Sequence, residues 1–162
     1  MRIGVTGHQR LADPSGWPWV QDSIDAIIAQ ATRPLVGVTS LAAGADQIFA
    51  RAVLRHGGEI EVVVPFFGYA AKFQISAEQE AYFRLLEAAS WVEVLGGEGS
   101  DQERYLRAGQ KVVDSSDLLI AIWDGQPAAG LGGTGDIVEY AATKGTPISH
   151  INPVARVVRS LA

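Results

Sequence analysis

Cysteine is absent from the 162 residues. That excludes a disulfide frame, a zinc–thiolate site and a cysteine nucleophile, and it fits a reducing compartment such as the cytoplasm. Long hydrophobic runs are missing too. The longest, residues 62–71, is broken by Pro65 and Gly68 and falls short of the roughly 20 residues a membrane helix needs, so no membrane span is expected. The opening seven residues carry one basic side chain and reach polar Thr6 early, unlike a secretory signal. Charge is sparse, with 19% charged residues and a net charge of −5. Coating nucleic acid requires Lys and Arg to neutralise phosphates, so nucleic acid is not the expected partner. His8, His56 and His150 are too scattered to suggest a metal site. No G-x-x-x-x-G-K-[ST] occurs, and no G-x-G-x-x-G follows the first strand, which argues against a P-loop enzyme and an ordinary dinucleotide dehydrogenase. No bound cofactor is expected.

Glycine is what the chain has in quantity, 18 residues in all, and the glycines stand at element ends rather than in a low-complexity run. With 48% hydrophobic residues, disorder is disfavoured, and the length suits one domain over residues 1–162. Short apolar runs alternate with helical stripes. Residues 2–6, 35–39, 59–65, 91–95, 118–123 and 147–151 read as strands. Val20, Ile24, Ile27, Ile28 and Ala31 mark one helix face. Ala45, Ile48, Phe49, Ala52 and Val53 mark a second. Tyr82, Leu85, Leu86 and Ala89 mark a third. Residues 101–115 read as a fourth helix, and Ile137, Val138, Ala141 and Ala142 open a fifth. Residues 66–76 read as a loop and 154–161 as a short apolar tail. The strands are apolar without alternation, the pattern of strands covered on both faces. The expected class is α/β: a single open, mostly parallel sheet with helices on both faces, Rossmann-like.

In such a sheet ligands bind outside the carboxyl ends of the strands, and three loops there stand out. Thr6, Gly7, His8, Gln9 and Arg10 follow the first strand, with Gly7 allowing a tight exit and the next three supplying donors. Arg10 reads equally as a surface cation paired to a nearby acid. Ser40, Leu41, Ala42, Gly44 and Asp46 join the second strand to its helix, whose N-terminal N–H groups can hold a phosphate. Asp46 falls in the first helical turn, where the dipole favours a carboxylate; it reads either as a helix-capping acid or as a group that binds a ribose hydroxyl or orients a neighbour. Asp124 ends the fifth strand. The loop after it carries Gly132, Gly133, Thr134, Gly135 and Asp136 and leads to Glu139. With Gly130, that makes four glycines in six positions, which let backbone approach a ligand, and Asp136 can cap the helix. The aromatic segment of Phe66, Phe67 and Tyr69 is placed to stack a base, although closing the core edge or forming a dimer contact is the commoner use of such residues.

Taken together, three separated motifs resemble the SLOG superfamily, which takes in the DNA-processing protein DprA and the cytokinin-activating LOG proteins. They are Gly4-Val5-Thr6-Gly7-His8; Ser40-Leu41-Ala42-Ala43-Gly44-Ala45-Asp46; and Asp117 to Trp123 followed by Gly132-Gly133-Thr134-Gly135 and Glu139. The order matches and spans nearly the whole chain. The resemblance implies a Rossmann-like domain, a nucleotide or nucleotide-derived ligand as partner, and a homodimer. LOG enzymes cleave the N-glycosidic bond of a nucleoside monophosphate with an arginine and the glutamate of the glycine loop. That would make Glu139 and Arg107 the catalytic pair of a phosphoribohydrolase, although the usual Arg-Lys pair is absent and residues 124–131 replace a short proline turn. The leading expectation is a sensor or carrier domain. The phosphoribohydrolase and a structural, dimer-forming domain with a vestigial pocket are the alternatives.

Overall fold

The computed structural model describes residues 1–161. Seven strands form one sheet in the order β4-β3-β2-β1-β5-β6-β7. These are β1 (Arg2–Gly7), β2 (Val36–Thr39), β3 (Glu59–Val64), β4 (Trp91–Val94), β5 (Leu118–Ile122), β6 (Ile148–Asn152) and β7 (Val157–Leu161). Strands β1 to β6 pair in parallel, and only β7 runs antiparallel, on β6. Five helices connect them: α1 (Trp17–Ala29), α2 (Ala45–Arg55), α3 (Ser76–Glu87), α4 (Asp101–Asp114) and α5 (Thr134–Lys144). The α/β class expected from the alternating pattern is the class found.

The chain winds outward from β1 to β4 and returns to place β5 on the other side of β1. Right-handed crossovers put helices made before and after that reversal on opposite faces. Accordingly α2 packs against both α1 and α3, while α4 packs against α5 across the sheet. The larger core, with Ile3, Val5, Ile24, Phe49, Val62 and Ile120, lies under the first three helices. Leu119, Ala121, Ile137, Ala141 and Ile148 fill the second face. Burial on both faces is why the strands read as continuous apolar runs.

Two readings of the sequence need correction. The apolar tail at 154–161 contains β7, which pairs with β6 from Asn152↔Val157 to Ile148↔Leu161. Its two ends are partly buried and its three central residues exposed, as fits an edge strand open to solvent. The loop at 66–76 contains a 3-10 turn, Tyr69–Lys72, and it draws Phe66 and Tyr69 into the core at 7% exposure each, while Phe67 stays out at 87%. No helix among the described residues is long and apolar enough to cross a membrane.

Candidate functional site

The reversal between β1 and β5 opens a crevice at their C-terminal ends, the place where open α/β sheets bind ligands. A cleft of about 680 Å³ occupies it. Thr6, Gly7, His8, Gln9 and Arg10 line it from β1, Ser40, Ala42 and Asp46 from the β2–α2 loop, and Asp124, Gly132, Gly133, Thr134 and Gly135 from the β5–α5 loop. The three loops singled out by the sequence therefore converge on one cavity.

Not every expected residue faces it. Leu41 is fully buried in the larger core; its left-handed φ of 57° turns the apolar side chain inward, away from a ligand. Gly44 does not line the cleft either. Its φ is +78°, and a Cβ there would stand 2.5 Å from the Gln9 carbonyl oxygen and 2.7 Å from that of His8. Gly44 thus serves the close crossing of the β1–α1 and β2–α2 loops, where the Ala45 N–H donates to the His8 carbonyl at 3.2 Å. Asp136 sits behind the glycine loop and accepts the Gly132 N–H at 2.8 Å. Glu139 and Arg107 are absent from the cleft lining. Glu139 is exposed one turn further along α5, and Arg107 reaches away to donate to the Glu98 carbonyl at 2.8 Å.

Asp46 orients its neighbours. Its Oδ2 accepts the Thr39 hydroxyl at 3.0 Å and the Ser40 N–H at 3.1 Å, and Thr39 Oγ1 in turn accepts the Leu41 N–H at 3.0 Å. Burial pushes the Asp46 carboxyl up to about 6, against the opposing pull of these hydrogen bonds. These hydrogen bonds run from Asp46 in the first turn of α2 back to the end of β2, and they fix the turn between the two elements.

Residues outside those three loops form the opposite wall, and of them the sequence singled out Tyr69 alone. Tyr105, Ala108, Gly109 and Val112 of α4 line the cleft at the 0, 3, 4, 7 spacing of one helical face. A Cβ at Gly109 would run into the Ile137 side chain, so this glycine lets α4 pack closely on α5. Tyr69, Lys72, Phe73 and Gln74 add the other side. Tyr69 stands edge-on to Tyr105 at 6.1 Å and to Phe73 at 5.5 Å between ring centroids. Burial, then the nearby Asp46, holds the Tyr69 phenol well above its ordinary range, so it stays a neutral donor. Lys72 pairs with Asp101 at 2.6 Å at the rim, and Arg104 lies over the Phe66 ring at 5.3 Å. The α4 spacing was visible beforehand, but only the return path of α4 beneath the β1–β5 crevice turns that stripe into a wall.

The β5–α5 loop is folded back on itself. A Cβ at Gly135 would meet the Ala128 nitrogen at 2.9 Å, and one at Gly133 the Ala128 Cβ at 2.9 Å. Part of the glycine requirement is therefore internal packing by residues 126–130. Even so, the Thr134 and Gly135 N–H groups at the start of α5 have no protein acceptor among the described residues, and both residues line the cleft. No group of three or more metal-ligating side chains occurs among the described residues.

No protein-family model matches the chain, and no curated protein sequence does. Solved structures do match in fold. DNA processing protein A (DprA) from Streptococcus pneumoniae superposes with a TM-score of 0.64 at 17% identity, over 92% of this chain and 49% of that one. The Helicobacter pylori DNA processing protein A, described for its single-stranded DNA binding mode, gives 0.61 at 15% identity, over 93% and 64%. The Moco carrier protein of Chlamydomonas rheinhardtii gives 0.54 at 18%, over 95% and 78%. The chain thus spans about half the length of the first and less than two thirds of the second. The likeness is one of fold: a Rossmann-like α/β domain shared with these structures.

Proposed function

We propose that the cleft binds a nucleotide or nucleotide-derived small molecule and that the domain acts as a sensor or carrier. The observation that carries this reading is the pairing of two unlike walls around one cavity at the β1–β5 crevice. One wall is backbone: the β1 and β2 loops and the free Thr134 and Gly135 N–H groups at a helix N-terminus, where the dipole and open donors favour an anion. The other is aromatic, with Tyr69, Phe73 and Tyr105, and it suits the face of a base. Lys72 and Arg10 stand where the two meet the rim. A ligand with a phosphate end and a flat end matches both walls.

The phosphoribohydrolase reading is not favoured. A general acid or base must come within hydrogen-bond reach of the bond it serves, and Glu139 and Arg107 lie off the cleft lining. The ligand class is a small molecule rather than a nucleic-acid strand, in keeping with the net charge of −5. A homodimer fits the unpaired outer edge of β4, which exposes Trp91, Val92 and Val94; sedimentation of the purified chain tests it.

Trp123 lines the cleft, so its fluorescence reports occupancy. Titration with adenosine monophosphate should change the signal saturably in the wild type. Tyr105→Ala should weaken binding by about tenfold, since base–aromatic stacking is worth roughly 1–3 kcal/mol. An unchanged signal with every mono-, di- and cyclic nucleotide at millimolar concentration would count against the reading.

A further inference from the structure

A second, smaller hollow of about 340 Å³ adjoins the cleft. Gln9, Arg10 and Glu78 line both cavities, and the hollow continues over Trp17, Ile48 and Arg51. Arg10 and Glu78 are ion-paired at 2.8 Å, so that pair stands at the boundary.

We propose that this hollow is a second subsite for an extended nucleotide, in which a nucleoside held in the cleft is joined through a phosphate chain to a second ring. Arg10 and Arg51 meet the phosphates and Trp17 the second ring. The proposal rests on the reading of the cleft as a nucleotide site and adds the class of nucleotide.

Arg51 carries the argument. Among the described residues it has no hydrogen-bond or ion-pair partner, unlike Arg55 one turn further along α2. Asp25 pairs with Arg55 at 2.8 Å and with His56 at 3.1 Å. Desolvation and the neighbouring Arg55 both disfavour the Arg51 charge. A guanidinium that lines a hollow without a counter-charge gains from an anion there, and its planar fork suits phosphate. Trp17, Ile48 and Ile75 in the same hollow supply the apolar surface that a phosphate alone would not use. The only acidic group lining the hollow is Glu78, and its charge is held by Arg10. A phosphate chain crossing the boundary competes with Glu78 for Arg10, so Glu78 sets a threshold that a single phosphate in the cleft does not meet.

The test compares adenosine monophosphate with diadenosine tetraphosphate by calorimetric titration. In the wild type the longer probe should bind at least about tenfold more tightly, the least expected of a new charge-assisted hydrogen bond. Arg51→Ala, on the outer face of α2, should abolish that advantage and leave the affinity for the monophosphate within about twofold of wild type. Arg51→Lys should keep part of the advantage, and Glu78→Gln should enlarge it. Equal affinity for the two probes, or equal weakening of both by Arg51→Ala, overturns the subsite while leaving the cleft reading intact. Failure of both probes to bind overturns the two together.

Discussion

His8 and Asp124 join the two strands that flank the crevice: His8 Nε2 accepts the Asp124 N–H at 3.3 Å and lies 3.4 Å from Asp124 Oδ1. The contact is local in space but spans 116 residues of sequence, and it ties the β1 exit to the root of the β5–α5 loop. Asp124 is held from its far side as well, since Asn152 donates to its carbonyl at 3.2 Å and Gln126 N–H to its Oδ1 at 3.0 Å.

The pair should therefore show energetic coupling. In a double-mutant cycle of His8→Ala and Asp124→Ala, followed by urea unfolding, the two changes should be non-additive by on the order of 1 kcal/mol. Strict additivity would mean that the loop roots are held independently.

Gly44 and Gly57 make a matched comparison. Both have positive φ, 78° and 71°, but a Cβ at Gly57 meets nothing within 4 Å, whereas at Gly44 it meets two carbonyl oxygens. Gly57→Ala should cost only about 1 kcal/mol, the price of left-handed backbone alone. Gly44→Ala should cost about 3 kcal/mol or more, because the loops must also separate. Similar losses for both would show that the crossing of the β1 and β2 loops is loose.

Asp46 gives a pH signature. Its carboxyl ordinarily titrates near 3.8 and is raised to about 6 in the fold, chiefly by burial. Between those values the folded chain holds a proton that the unfolded chain has released. The contribution to stability is fully present below about pH 4 and is lost as pH rises through 6. Urea unfolding between pH 4.5 and 7.5 should show the wild type losing on the order of 2 kcal/mol relative to Asp46→Asn, which keeps the neutral shape without the titration. Parallel profiles for the two proteins would contradict this assignment.

Glu139 and Arg107 separate binding from hydrolysis. Both lie outside the cleft lining, so Glu139→Ala and Arg107→Ala should leave nucleotide affinity within about twofold of wild type, as expected of sites that share no contact with the ligand. A tenfold loss in either, measured by Trp123 fluorescence, would return them to the site.

Much of this was legible before any coordinates. The unbroken apolar runs at β3 and β5 announced a sheet covered on both faces, and glycines at strand ends marked the loops that meet at the cleft. What could not be read was direction. Leu41 sits among ligand-facing neighbours but turns into the core, because one left-handed residue reverses which side of the loop faces in. The sequence offers Gly135 as close backbone approach to a ligand and Gly44 as part of a phosphate-holding loop, whereas at both positions the space a side chain would take is filled by the chain itself. The Tyr105 stripe carried a clear helical period, yet its role depends on α4 returning from the sheet edge to the centre. Arg51 carried no local signal at all, since what distinguishes it is the partner it lacks.

The most direct test of the central claim is a thermal-shift series with mono-, di-, tri- and cyclic nucleotides, each mixture then resolved by chromatography. A ligand at about 100 times its dissociation constant adds roughly 2.7 kcal/mol to stability, enough to raise the melting temperature by several degrees. A raised melting temperature with the nucleotide recovered intact is the predicted result. Release of free base would contradict the sensor or carrier reading in favour of hydrolysis, and no shift with any nucleotide would contradict the cleft as a nucleotide site.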